Sequence, residues 1–264
     1  MVKSISILTF TASLVVVLFF TSCVGNSTQS KQEREEILQE IMSYQDRLPY
    51  NIPGTSISIT DIEVEQDIIA YTCKVGTEDW NAMSLASEVS NSDRNMARVI
   101  SNVSNEAVDK FINHGLGLKY IYTSDITGET LLEVEMSAEK MKEIRDKVNS
   151  GEIQPYTMLE LSQMEIAKME IPSQIDEGVW MTDAYIKGNK IYYVATIENE
   201  IDASDLSSSD LREMKEGLIE DLKNEGLLMA HKKEIVKENI HIVYVYKDSR
   251  GKEFAKIDIG PYDL

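Results

Sequence analysis

Three blocks of this chain recur in the same order at an offset of about 123 residues, and a repeat of that length dictates two copies of one small fold. The first block is a helical stretch closed by proline: Glu36 to Leu48 before Pro49, and Leu159 to Ile171 before Pro172, with Leu38, Ile41 and Leu48 matching Leu161, Met164 and Ile171. Proline ends each helix because it has no N–H to donate and its ring clashes with the preceding turn. The second block alternates apolar and polar residues, as a half-buried strand does: Ile69, Tyr71, Cys73 and Val75 against Ile191, Tyr193, Ala195 and Ile197. The third sets Tyr120 and Tyr122 against Tyr244 and Tyr246, then Gly128 against Gly251, then Val134 and Met136 against Ile257 and Ile259.

The common unit is a helix, a strand pair turning at Glu65–Asp67 or Lys187–Asn189, a longer helical stretch and a second hairpin. Asp125–Gly128 and Asp248–Gly251 supply the second turn, where glycine takes the positive φ of a bulged turn. The long helix is expected over Asp93–His114 in the first unit. In the second it is expected over Leu211–Met229, capped by Asp210 or a preceding serine, with Leu211, Met214, Leu218 and Leu222 forming one apolar face. The expected fold class is α+β: two tandem repeats, each an antiparallel sheet of about four strands covered by helices. The boundaries read 34–148 for unit 1, 149–155 for a linker and 156–264 for unit 2, with a short helix over Ser137–Val148 closing the first.

Upstream of the repeats, Lys3 followed by the uncharged apolar run Ile5–Phe20 has the pattern of a secretion signal. The run stops at Thr21-Ser22-Cys23, short of the roughly 20 residues that a membrane span needs. Phe20-Thr21-Ser22-Cys23 resembles a lipobox, which implies cleavage after residue 22 and lipidation of Cys23. The segment 23–33 is then a lipidated N-terminus and flexible polar tether. Acyl chains contribute about 0.8 kcal/mol per buried CH₂, enough in combination for stable membrane anchoring. Val24 is not the aspartate associated with retention in the inner membrane, so the expected location is the cell envelope, with the outer membrane favoured over the inner.

Cys73 is the other of the two cysteines, so the fold must hold by burial without a disulfide framework. The precursor carries a net charge of −19, and removal of residues 1–22 takes away only Lys3, leaving −20. Such charge sets nucleic acid aside as a partner and suits solubility or a cationic partner.

A second resemblance lies in Ile171–Trp180, Gly188–Val194 and Tyr244–Gly251, which resemble a recurring pattern in small secreted proteins and lipoproteins of Gram-negative, Bacteroides-like bacteria. The resemblance covers most of unit 2 and, more faintly, unit 1, where Gly54 and Thr55 stand in place of Glu177 and Gly178. It implies an extracytoplasmic helix-plus-hairpins module and carries no activity.

No catalytic set, metal site or cofactor site is expected. His114, His231 and His241 are the three imidazoles, and no cysteine or spaced carboxylate completes a zinc set around them. Asp202, Asp205 and Asp210 lack the alternation and glycine of a calcium loop, and capping accounts for the last two. Cys73 reads as a core thiol. The tyrosines carry two readings: Tyr120, Tyr122, Tyr244 and Tyr246, with Tyr192 opposite Tyr193, either form a binding surface or pack under the helices. The expected function is a non-enzymatic, membrane-anchored lipoprotein that binds an envelope protein or supports an envelope assembly, an enzyme inhibitor being one version. The alternative is a hydrolase acting on glycan or peptide through a dispersed carboxylate pair.

Overall fold

The computed structural model describes residues 30–52, 55–76, 92–201, 206–224 and 231–264, and the chain divides between Tyr156 and Thr157 into two compact units. Unit 1 runs α1 (Ser30–Met42), a single 3-10 turn (Gln45–Arg47), β1 (Tyr50–Asn51), β2 (Ile57–Glu65), β3 (Ile68–Val75), α2 (Asp93–Asn102), α3 (Asn105–Asn113), β4 (Gly117–Ser124), β5 (Thr130–Met136) and α4 (Ala138–Asn149). Unit 2 runs α5 (Met158–Ile166), β6 (Ser173–Asp176), β7 (Val179–Lys187), β8 (Lys190–Ile197), α6 (Ser208–Asn224), α7 (Lys232–Lys237), β9 (His241–Lys247) and β10 (Glu253–Ile259).

Each unit holds a five-stranded sheet, in the order β1-β2-β3-β4-β5 and β10-β9-β8-β7-β6. Neighbours pair antiparallel except β3 with β4 and β8 with β9, which run parallel, placing Tyr71 beside Tyr120 and Tyr193 beside Tyr244. The α+β class and the two repeats are as expected, while the sheets are mixed rather than wholly antiparallel and carry a fifth strand. The reason is connectivity: a helical crossover returns the chain to the end where the previous strand began, so the next strand lies parallel. Strands β1 and β6, of two and four residues, are too short to show alternation.

The equivalence of the copies extends to backbone detail. Both first hairpins carry a bulge at the same place, between Ile59 and Asp61 and between Met181 and Asp183. Their turns hold Gln66 and Gly188 at φ 56° and 63°, and the later turns hold Gly128 and Gly251 at φ 71° and 79°. The Leu48–Pro49 and Ile171–Pro172 peptides are both cis.

One face of each sheet packs on helices. In unit 2 the core joins Val179, Met181, Ile191, Tyr193, Ala195, Ile242, Tyr244, Tyr246, Ile257 and Ile259 to Leu218 and Leu222 of α6 and Ile235 of α7. Burying a large apolar side chain of this kind stabilises by roughly 1.5–3 kcal/mol. The helix expected over Asp93–His114 is two helices, because Ser92 and Ser104 each cap a fresh N-terminus, accepting from the backbone N–H of Asn95 and Ala107. Helix α6 begins three residues before Leu211, with Ser207 and Asp210 capping reciprocally through Asp210 N–H to Ser207 Oγ and Ser207 N–H to Asp210 Oδ2. The end expected for it at Met229, like Cys23, Gly54, Asp202 and Asp205, lies outside the described residues.

Candidate functional site

The tyrosines read as a candidate binding surface are core residues. Tyr120, Tyr122, Tyr244 and Tyr246 are all buried on the helix-facing side of their sheets. Tyr120 stacks between Tyr71 at 5.1 Å and Tyr122 at 6.3 Å, and Tyr244 tilts against Tyr193 at 5.9 Å. Burial pushes the hydroxyls of Tyr120 and Tyr122 well above their usual range and that of Tyr246 up to about 12. The binding-surface reading of these four is thereby corrected: strand alternation could not say which of the two faces meets the helices. Cys73 shares the same interior, and burial raises its thiol to about 12, which makes it a small hydrophobe rather than a nucleophile.

The three histidines are not brought together. His114 Nε2 lies 3.5 Å from Glu33, His231 Nδ1 lies 2.9 Å from Glu234, and His241 Nδ1 lies 2.6 Å from Asp258. Asp258 also receives Lys190 Nζ on its other oxygen. Burial tends to raise the Asp258 carboxyl, but the bonds from Lys190 and His241 prevail and hold it below its ordinary value. No hydroxyl or thiol among the described residues hydrogen-bonds to His241, so this pair lacks the nucleophile that a triad would need. Among the described residues no cluster of three or more His, Cys, Asp or Glu side chains is placed to hold a metal.

The faces turned away from the helices are where the two units differ. In unit 2 the register sets four rows across β7 to β10: Lys187, Lys190 and His241; Tyr185, Tyr192, Val243 and Asp258; Asp183, Val194, Val245 and Lys256; and Trp180, Thr196, Lys247 and Glu253. Tyr185 and Tyr192 stack at 4.8 Å with 8° between their planes, and Lys256 Nζ lies 5.5 Å from the Tyr192 ring centre. Tyr185 is 39% exposed, one of the few large apolar side chains among the described residues that reach solvent. Trp180 donates its indole N–H to Glu198 at 2.9 Å. Val194, Val243 and Val245 form a buried aliphatic strip beside Tyr192.

This face carries Lys187, Lys190, Lys247, Lys256 and His241 against Asp183, Glu198, Glu253 and Asp258, so charges of both signs alternate around the tyrosines. The corresponding face of unit 1 is predominantly acidic: Asp61, Glu63, Glu65, Glu133 and Glu135 face outward beside Lys74 and Lys119, with Lys119 tied to Glu133 at 3.1 Å. Sequence reasoning set Tyr192 opposite Tyr193 but missed its partner Tyr185 and which side the helices take. The signal was present, since Ile191, Tyr193 and Ala195 facing the helices oblige Tyr192 to face away.

No protein-family model and no curated protein matches the sequence. Among solved structures, one from Pseudomonas aeruginosa, named as a presumed secreted protein, is similar over 44% of this chain and 99% of its own, at 17% identity and a TM-score of 0.33. Among the described residues no helix is long and apolar enough to cross a membrane.

Proposed function

We propose that the chain is an extracytoplasmic lipoprotein, tethered through Cys23, that acts as a non-enzymatic binding module in the cell envelope and engages a protein partner through the outer sheet face of unit 2. The observation that carries this reading is the solvent-reaching Tyr185–Tyr192 stack with Lys256 over it. Tyrosine contributes large, stiff contact area and a polar tip, which is why it is enriched where proteins meet. Charges of both signs ring this apolar centre, which favours a partner that pairs its own rim charges with them and so gains register and specificity. The lipobox and the signal-like run support the tether and the compartment, with the outer membrane as the favoured site.

The test is a pull-down from solubilised envelopes with the tagged mature chain, beside a Tyr185→Ser/Tyr192→Ser variant whose fold is checked by circular dichroism. A partner held by the wild type and lost by the folded variant is the expected result. A partner held equally by both removes this face from the function. No partner with either form overturns the binding reading and favours the hydrolase alternative, for which glycan and peptide turnover by the mature chain would be the next measurement.

A further inference from the structure

Each sheet ends, on the side away from β1 or β6, in a strand of seven residues: β5 in unit 1 and β10 in unit 2. Among the described residues nothing takes the backbone hydrogen bonds on the outer side of either strand. An open edge of this length is a template for another strand. What a strand of the same protein would meet there differs between the two copies of the fold.

In β10, Ala255, Ile257 and Ile259 are buried in the core of unit 2, while Lys256 and Asp258 alternate with them on the face turned away from the helices. Two β10 strands laid antiparallel about a twofold axis at Ile257 set each Lys256 opposite the partner's Asp258. The same arrangement sets each Ala255 opposite the partner's Ile259 on the helix-facing side, small against large. Opposite charges directly across an antiparallel pair are favourable and like charges unfavourable. Moving the axis to Lys256 or Asp258 sets that residue against its own copy, so the charges select one register. In β5 the equivalents of Lys256 and Asp258 are Glu133 and Glu135, and pairing about Val134 sets acid against acid twice. The repeated fold therefore carries one edge that repels itself and one that is complementary to itself.

We propose that unit 2 binds a second copy of this chain through β10, antiparallel about Ile257, so that two five-stranded sheets become one continuous sheet. The contact is isologous and closes at two copies. The net charge of −20 opposes self-association in general, and the crossed Lys256 and Asp258 pairs balance charge where the strands meet. This inference rests on the sheet edge and not on the Tyr185–Tyr192 stack.

The experiment is sedimentation of the mature chain under reducing conditions, in a concentration series up to roughly 1 mM, the order of effective concentration of tethered modules. A monomer–dimer equilibrium is expected, with exchange of alternate β10 amides slowed as dimer forms and β5 amides unchanged. Lys256→Glu, which makes both cross-strand pairs repulsive, should weaken the dimer by roughly tenfold. Lys256→Glu/Asp258→Lys, which exchanges the charges, should restore it in a chain shown to be folded by circular dichroism. Glu135→Gln in β5 and Tyr185→Ser/Tyr192→Ser should leave it unchanged. A chain that stays monomeric throughout overturns the proposal, whatever the envelope pull-down captures. So does a dimer indifferent to Lys256→Glu, or a folded charge-exchanged variant that stays monomeric. Loss of the dimer in the tyrosine variant would move the self-contact to the outer face, and open-ended assembly would mark head-to-tail pairing of β10 with β5; either result also overturns it.

Discussion

Asp248 shows how one side chain can hold a turn. It is fully buried, its Oδ1 accepts the backbone N–H groups of Arg250 and Lys252, and its Oδ2 accepts Nε and Nη2 of Arg250. In unit 1 the same place belongs to Ser124, whose hydroxyl accepts the N–H groups of Ile126 and Thr127. Burial tends to raise the Asp248 carboxyl, and the bonds from Arg250 and Lys252 more than reverse this, leaving it below its ordinary value. A carboxyl whose folded pKa is depressed contributes stability that is present above its unfolded pKa and lost as pH falls through the folded one. Asp248→Asn should therefore lower the melting temperature at neutral pH, and the gap to wild type should narrow as the pH falls below 4. Melting curves across that range check it, and a gap that stays constant would assign the loss to shape rather than charge. The identity of the turn was legible in the sequence from Gly128 and Gly251. That an aspartate and a serine perform the same task was not, because only the register shows that they coincide.

At the scale of elements, the helices were easier to read than the directions of the strands. Leu218 and Leu222 recur at helical spacing and do face the core, so Leu222→Ala should cost about 2–5 kcal/mol in chemical denaturation. The division of the expected Asp93–His114 helix depends on Ser104, a residue whose capping role competes with helix continuity. Ser104→Ala should cost about 1 kcal/mol, and a gain in helical signal would show instead that α2 and α3 had fused. Alternation located β3, β4, β8 and β9 and said that each has one buried face. It said nothing about which face or which direction, and so it left the four core tyrosines between binding and packing and passed over Tyr185, which the structure stacks on Tyr192.

Taken whole, the chain is one backbone plan written twice with different surfaces. Unit 2 has its own sheet, helices and apolar core, and residues 157–264 expressed alone should unfold in a single cooperative transition by circular dichroism. A broad, non-cooperative melt would show that unit 2 is not a separate folding domain. The plan itself was legible from the three repeated blocks. The different charge balance of the two outer faces was not, because a repeat reports what the copies share.

The shortness of β1 and β6 has a consequence for a protein built of tandem copies. Neighbouring domains of related sequence are prone to exchange strands, and an unpaired sheet edge is the usual template. Here one border of each sheet ends in a strand of two or four residues, preceded by Pro49 or Pro172, which has no N–H to offer. That border presents too few free backbone groups for a foreign strand to zip onto, which leaves the seven-residue edge strands β5 and β10 as the sides from which copies of the fold could join.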